Sequence, residues 1–230
     1  MSKLWYVEDP LLLASIEDEI ENNFSGLRLF ILNQKVFIQG RFDVYYQDNF
    51  YDRYSIRIEL ADNHPISLPQ VFETGGRIPA TAARHVYEEG GYACLFVPFE
   101  RFKYWPDSRS MSSFLGGPVN SYFYSQSFYD QHGHYPYGER SHNLYGVIES
   151  IKDISGMDSK SKVFAAIDLI SKDQMKGHWD CPCNSGKNLK NCHIAELVSL
   201  KRALCIPDLE FLKTWIARDS QREDKILRKL

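Results

Sequence analysis

The feature that most restricts the fold of this chain is the segment W-D-C-P-C-N-S-G-K-N-L-K-N-C-H at residues 179–193. It contains three cysteines and one histidine: Cys181, Cys183, Cys192 and His193. Thiolate sulfur and imidazole nitrogen are the ligands that tetrahedral zinc prefers, and four protein ligands leave no open position for catalysis. A loop that places these side chains around one ion has to fold back on itself. The sequence therefore predicts a structural zinc site here.

The order C-P-C-x-S-G-K-x-x-K-x-C-H resembles the SEC-C motif, a small zinc module found at the C-terminus of bacterial SecA and as an appendage on many other proteins. Asn184 stands where that motif usually has a glycine, and asparagine is one of the few other residues that tolerate left-handed backbone. The turn N-S-G-K offers backbone amides to the thiolate sulfurs. The resemblance implies zinc that is bound for stability.

The cysteine pattern also indicates the compartment. The chain has five cysteines, and three of them lie in the cluster. An odd, clustered set favours a metal site and free thiols in a reducing cytoplasm over a disulfide framework. Cys205 lies in a helical pattern and is expected to be buried and unreactive. Because no apolar run is long enough for a membrane span or a secretion signal, we expect neither a membrane nor a secreted protein.

The charge of the chain changes near residue 150. Residues 1–150 contain 12 Lys and Arg against 19 Asp and Glu, a net charge of −7, and residues 151–230 contain 15 against 11, a net charge of +4. Neither part is basic enough to indicate direct binding to nucleic acid. The shift predicts a module boundary. We predict a main domain at 1–155, a helical connector at 156–174, the zinc motif at 175–196 and C-terminal helices at 197–230.

The pattern of the first region predicts a helix followed by an antiparallel meander. Asp9-Pro10 is a typical N-cap and first helical residue, and an apolar stripe from Leu12 to Ile20 predicts a helix that ends near Asn23. Alternating apolar residues then predict strands at 27–32, 35–46 and 54–60, with hairpin turns between them, and a short strand at 70–73. This order of elements is typical of an α+β fold.

Later segments show helical spacing of apolar residues. It predicts helices at 108–115, 146–154 and 162–172, another at 194–204 directly after the cysteine cluster, and a last one at 208–230. The stretch between the first two, residues 116–146, is rich in Gly, Tyr, Ser and His. Such a composition predicts an irregular loop.

One set of residues in the first region occurs in an order known from a protein family. The set comprises His64-Pro65, Leu68-Pro69-Gln70-Val71, His85, Gly90-Gly91, Cys94-Leu95 and Trp105-Pro106. Together with the helix and the meander, it resembles the catalytic domain of ubiquitin-conjugating enzymes (the UBC fold) over residues 8–150. The resemblance implies that Cys94 carries an acyl group as a thioester and passes it to an amine. Gly90 and Gly91 would permit the close approach of an extended tail.

The residues near Cys94 depart from the family pattern in one respect. His85 stands at the family's histidine, where it can orient the loop, lower the thiol pKa or bond to backbone. The family's asparagine, usually credited with stabilising the oxyanion, would fall at about Tyr87, whose hydroxyl is a possible donor. Either a donor is supplied from elsewhere, or the chain is not an efficient lysine conjugator. Trp105 is expected in the core. Three histidines are expected at the surface, with a flap that supplies a general base as the alternative: His132, His134 and His142.

Among family members, the chain resembles the short conjugating proteins of bacterial type II CBASS anti-phage systems. That resemblance implies a cGAS-like nucleotidyltransferase as the partner, with its C-terminal glycine carried on Cys94. A neighbouring possibility is a separate bacterial ubiquitin-like protein. Two other interpretations stay open. One is an inactive conjugating fold that only captures a protein tail, and the other is an adaptor whose zinc tail docks on a chaperone or ribosome.

Overall fold

The computed structural model describes residues 4–96, 100–137, 144–203, 209, 212–214 and 216–217. The chain divides into two compact units: unit 1 is Met1–Phe96 with Arg101–Arg140, and unit 2 is Val97–Glu100 with Ser141–Leu230. Unit 1 ends at residue 140, before the charge change near residue 150 and the predicted end of the main domain at 155. Among the described helices, none combines the length and the apolar composition needed to cross a bilayer.

Unit 1 begins with two helices, α1 (Trp5–Glu8) and α2 (Pro10–Asn23). The Asp9 side chain caps α2, because its Oδ1 accepts a hydrogen bond of 3.1 Å from the amide of Leu12. Leu12, Ile16 and Ile20 are buried on one face of α2. The predicted start, end and apolar stripe of this helix are thus confirmed.

The sheet of unit 1 is an antiparallel meander in the order β1-β2-β3-β4. The strands are β1 (Leu27–Leu32), β2 (Lys35–Tyr46), β3 (Asn49–Glu59) and β4 (Gln70–Glu73). β3 begins five residues earlier than predicted because the preceding turn is only two residues long. Gln47 and Asp48 form that turn with φ of 49° and 62°, a left-handed geometry that suits tight hairpins.

The first two strands approach each other closely where two glycines meet. Gly40 pairs with Leu27 and has a φ of +148°. A Cβ atom on Gly40 would lie 2.1 Å from the backbone oxygen of Gly26, and one on Gly26 would lie 2.3 Å from the backbone oxygen of Arg41. No other residue fits at these two positions without moving backbone.

A long helical segment covers the sheet of unit 1. It consists of α4 (Met111–Phe114), a π-helical turn (Leu115–Val119) and α5 (Asn120–His132), and follows the short α3 (Arg101–Tyr104). The prediction of an irregular loop across 116–146 was therefore wrong for residues 116–132. The π turn accommodates Pro118, which has no amide hydrogen to donate.

The core of unit 1 lies between the sheet and these helices. Its fully buried large side chains come from α2, all three long strands and the helical cover. Trp105 is only 1% exposed, as predicted for a core residue, and its Nε1 donates to the backbone oxygen of Ser110. The largest of these side chains are Trp105, Tyr54, Phe42, Phe114, Phe123, Ile16 and Ile20.

One core position in unit 1 is polar. His64 is 3% exposed, and its ring lies 4.8 Å from that of Trp5. Within the described part of the chain, neither ring nitrogen has a hydrogen-bond partner. Burial, and then the positive charge of Arg109, lower the pKa of His64 to about 4. The imidazole is therefore neutral at physiological pH.

Unit 2 has its own core of three helices around the cysteine cluster. These are α6 (Leu144–Ser155), α7 (Lys160–Ile170) and α8 (Ile194–Ala203), which pack against one another. Buried side chains include Ile151, Val163, Ile167, Leu197 and Leu200. Cys205 and most of the helix predicted at 208–230 lie outside the described residues.

Candidate functional site

Cys94 lies in a folded loop between β4 and α3. His85 has left-handed backbone (φ 50°, ψ 45°), and its carbonyl oxygen accepts a hydrogen bond of 2.7 Å from the amide of Cys94. Val86 and Ala93 form an isolated bridge just inside this pair. Ala93 in turn donates to the backbone oxygen of Val71 in β4. The sheet therefore fixes the backbone position of Cys94 through its immediate neighbour.

The side chain of Tyr87 lies within hydrogen-bond distance of the thiol. Its hydroxyl oxygen lies 3.5 Å from Cys94 Sγ. Burial raises the pKa of Cys94, and the hydrogen bond to Tyr87 opposes that shift. Burial also raises the pKa of Tyr87 far above its ordinary value. Tyr87 thus stays protonated and can donate to an anion that forms at the sulfur.

A small cavity opens beside the thiol, and we call it the Cys94 pocket. Its volume is about 140 Å³, well below the roughly 300–1,000 Å³ of pockets that hold drug-sized ligands. It can therefore receive only a slender group. The residues that line it are His85, Cys94, Leu95, Ser121, Tyr122, Ser125, Gln126, Tyr135, Pro136 and Tyr137.

α5, together with Tyr135 just beyond its end, holds the loop in place through hydrogen bonds to two backbone carbonyls, an arrangement we call the carbonyl clamp. The oxygen of Arg84 accepts from Gln126 Nε2 at 2.9 Å and from the Tyr122 hydroxyl at 3.2 Å. The oxygen of Ala83 accepts from the Tyr135 hydroxyl at 3.0 Å. The Arg84 side chain returns a bond of 2.8 Å from Nε to Gln126 Oε1. Arg84, the residue before His85, is thus held by hydrogen bonds through both its backbone and its side chain.

The predicted site residues are placed differently with respect to the thiol. His85 lines the pocket and packs against Tyr135 with ring centroids 5.0 Å apart, while Tyr87 reaches the sulfur directly. His132 and His134 are exposed, contact the ring of Phe128, and are not among the pocket residues. His142 lies outside the described residues.

Sequence reasoning missed the contribution of α5 to this pocket. Ser121, Tyr122, Ser125 and Gln126 line it, and all four fall in the segment predicted to be an irregular loop. A signal was present, because Leu115, Val119, Tyr122 and Gln126 recur at helical spacing and are buried. The low helix propensity of Tyr, Ser and Asn concealed it.

The second candidate site is the cysteine cluster of unit 2. His193 Nδ1 lies 3.2 Å from Cys181 Sγ and 3.1 Å from Cys192 Sγ, and the sulfurs of Cys183 and Cys192 are 3.5 Å apart. All four ligand atoms lie within 4.8 Å of one another. A tetrahedron with metal–sulfur bonds of 2.3 Å has edges of about 3.8 Å. The cluster is compatible with one bound metal ion.

A small hairpin presents these ligands. The amide of Cys181 donates to the oxygen of Lys187, and the amide of Leu189 donates to the oxygen of Trp179 at 2.7 Å. At the tip, Asn184 has the left-handed φ of 59° that was predicted for the motif's glycine position. Cys192 and His193 follow on the next turn, so both pairs of ligands meet at one point.

The thiols of the cluster differ in acidity. Burial raises the pKa of Cys181 to about 11. Burial acts in the same direction on Cys183, but hydrogen bonds from Ser185 and from the neighbouring thiols outweigh it and lower its pKa to about 6. A bound cation would stabilise both as thiolates.

Comparison with known proteins identifies the second site. The family model described as the SEC-C motif matches residues 180–194, which contain all four ligands. This match confirms the predicted motif. Neither a curated protein nor a solved structure shows a significant match to the chain.

Proposed function

We propose that this chain is a ubiquitin-conjugating-like acyltransferase with a UBC-type unit 1. It carries a protein C-terminal glycine as a thioester on Cys94 and transfers it to an amine. The observation that supports this most is the Cys94 pocket: a backbone-anchored thiol beside a narrow cavity, with the protonated hydroxyl of Tyr87 at 3.5 Å. His85 is the positioning residue of the loop, because its carbonyl holds the amide of Cys94.

The reaction proceeds in two acyl transfers. In loading, the Cys94 thiolate attacks the carbonyl carbon of an incoming thioester, the new C–S bond forms, and the incoming thiol leaves and takes up a proton. In transfer, an amine attacks the Cys94 thioester, the amide bond forms, and Cys94 regains the proton that the amine loses. Each step passes through an oxyanion, which the Tyr87 hydroxyl stabilises by donating a hydrogen bond.

The acyl donor we propose is the C-terminal tail of a cGAS-like nucleotidyltransferase, or of a bacterial ubiquitin-like protein, activated as a thioester. Its modification would regulate an anti-phage response in the cytoplasm. This part rests on the order of residues from His64 to Pro106 and on the size of the pocket, which suits a tail of small residues.

In unit 2 we propose a structural zinc ion held by the SEC-C cluster. Three thiolates and one imidazole are a donor set that zinc prefers over magnesium or calcium, and four protein ligands complete its shell. The ion would tie the hairpin at residues 177–190 to the start of α8. Zinc analysis of the purified protein should give one ion per chain, and Cys183→Ser should lower that ratio.

Acyl loading can be tested without knowing the partner. The probe is the synthetic peptide acetyl-Ala-Ala-Gly-Gly as its 2-mercaptoethanesulfonate thioester. Intact mass spectrometry of the zinc-loaded protein should show one added acyl group, peptide mapping should place it on Cys94, and hydroxylamine should remove it. Cys94→Ala should gain no acyl group. An adduct confined to the cysteines of unit 2, or none, would contradict the proposal.

A second candidate is a module that binds a protein tail without reacting. The raised pKa of Cys94 favours it, because little thiolate is present at neutral pH. In that case the free acid of the same peptide should bind wild type and Cys94→Ala equally well, and the thioester should leave no adduct. An adaptor that acts through the SEC-C cluster would bind its partner unchanged when Cys94 is substituted.

A further inference from the structure

The polar groups of the Cys94 pocket fall into two sets. Those of Tyr122, Gln126 and Tyr135 are engaged in the carbonyl clamp. Those of Ser121 and Ser125 make no hydrogen bond with any other residue that the structure describes. The two serine hydroxyls are therefore the polar groups of α5 that a bound molecule can engage at no cost to the loop.

The spacing of the two serines suits an extended peptide. They are four residues apart on α5, so both lie on one face and are separated by about 6 Å along the helix axis. An extended chain presents peptide groups to the same side every two residues, at intervals of about 6.6 Å. A hydroxyl both donates and accepts, so each serine can pair with either an N–H or a carbonyl oxygen.

We propose that Ser121 and Ser125 bind the peptide backbone of the acyl group that Cys94 carries. The proposal rests on the proposed function, and it deepens it by assigning recognition of the tail to α5. Recognition through backbone groups would act on the last residues of the tail whatever their side chains, and it would hold the thioester carbonyl next to Cys94 and Tyr87.

Alanine variants test this without endangering the fold. Alanine is the best helix former, so Ser121→Ala and Ser125→Ala should keep α5 intact. Ser55→Ala is the matched control, since Ser55 is an exposed serine of β3 that does not line the pocket. Alkylation of Cys94 by iodoacetamide measures thiol reactivity in each variant independently of tail binding.

The measurement is the second-order rate of acyl transfer from the Ala-Ala-Gly-Gly thioester to Cys94. We expect each pocket variant to lower this rate about threefold to tenfold, the usual effect of one lost neutral hydrogen bond, while Ser55→Ala and all iodoacetamide rates stay at the wild-type value. A merely structural role of the serines would change alkylation and acylation together.

A substrate analogue identifies direct contact. In a depsipeptide thioester, glycolate replaces the last glycine, so that one N–H is lost. Its reaction with wild type should be slower, and the variant that lacks the bonding serine should show a smaller difference between the two substrates. Equal acylation rates in wild type and both variants would overturn this inference alone. An unreactive wild type would overturn the proposed function, and the inference with it.

Discussion

Burial favours the neutral form of two side chains in unit 1, with opposite effects on their pKa values. His64 is a base, so burial together with the charge of Arg109 lowers its pKa to about 4. Cys94 is an acid, so burial raises its pKa. The neighbouring groups differ as well: His64 packs against the ring of Trp5, whereas the thiol of Cys94 has the hydroxyl of Tyr87 within hydrogen-bond distance.

The shift at His64 makes the stability of unit 1 depend on pH. The unfolded chain takes up a proton at a pKa of 6.5 and the folded chain only at about 4. As pH falls from 6.5 to about 4, protonation favours the unfolded state. The free energy of unfolding of unit 1 should therefore fall by about 3 kcal/mol over this range and stay constant above pH 7. Urea titrations followed by amide NMR signals of β2 and β3 report on unit 1 alone.

Two variants separate His64 from other titrating groups. His64→Phe keeps a ring against Trp5 and cannot titrate, so the loss of stability over this range should disappear. His132→Gln, a change at an exposed histidine, should leave it as in wild type. Asp52 acts at lower pH, because its pKa is lowered to about 2. If the free energy of unfolding of His64→Phe still falls with pH over this range, another group is responsible.

The hydroxyl of Tyr87 should matter for the reactivity of Cys94. Its hydrogen bond lowers the pKa of the thiol, so Tyr87→Phe should raise that pKa further. Alkylation by iodoacetamide at neutral pH should then slow by about threefold to tenfold, and the midpoint of its pH profile should move upward. Tyr92→Phe is the control, since its ring packs against that of Tyr87 with centroids 4.6 Å apart. A profile unchanged in Tyr87→Phe would exclude this role.

Among the elements, those with simple local rules were predictable. The cap at Asp9, the apolar stripe of α2 and the alternation of β1 and β2 each indicate their element within a few residues. α5 was missed because its residues have low helix propensity and its stability comes from tertiary packing of Tyr122 and Phe123. The short turn before β3 was missed because Gln47 is an unusual residue at positive φ.

The two candidate sites also differed in how far the sequence predicted them. The cysteine cluster is local in sequence, so the four side chains that meet there could be predicted together. The loop from His85 to Cys94 could be predicted as a unit, because its residues are near neighbours along the chain. The serines of α5 could not, since only the packing of that helix against the loop brings Ser121 and Ser125 to the thiol.

The close approach of Gly26 and Gly40, where β1 pairs with β2, should tolerate substitution less than any other place in the sheet. Gly40→Ala would place a Cβ atom 2.1 Å from the oxygen of Gly26 and add strain at a φ of +148°, so we expect it to cost at least about 2 kcal/mol. Gly133→Ala, at the end of α5, also has positive φ but meets no atom within 4 Å, and should cost about 1 kcal/mol. Urea denaturation of unit 1 gives both values. Equal costs would mean that backbone relaxation removes the clash.

At the scale of the molecule, the chain has two separate hydrophobic cores. One is built from the sheet and its helices, and the other surrounds the SEC-C cluster, where Cys181 and Leu189 are buried together. Each core has its own source of stability, apolar packing in the first and, in the second, apolar packing together with the proposed metal ion. Unfolding is therefore expected in two transitions instead of one.

Removal of the metal should act on unit 2 only. Because metal binding contributes directly to folding of such modules, a chelator should lower the thermal midpoint of the second unit by at least about 10 °C and leave the first in place. Amide NMR signals of α7 and α8 report on unit 2, and those of β2 and β3 on unit 1. Iodoacetamide should react with Cys94 at the same rate before and after chelation. A joint loss of both sets of signals would show that the units fold together.

The partly buried position of Cys94, through the raised pKa of its thiol, also affects how that thiol reacts with oxidants. Hydrogen peroxide attacks thiolates, and successive oxidation to sulfinic and sulfonic acid is irreversible without a dedicated repair enzyme. A sulfur that stays protonated at neutral pH is a slow target, so Cys94 should survive peroxide exposure that converts an exposed, acidic cysteine to sulfenic acid. Unit 1 would keep a free Cys94 thiol under such exposure.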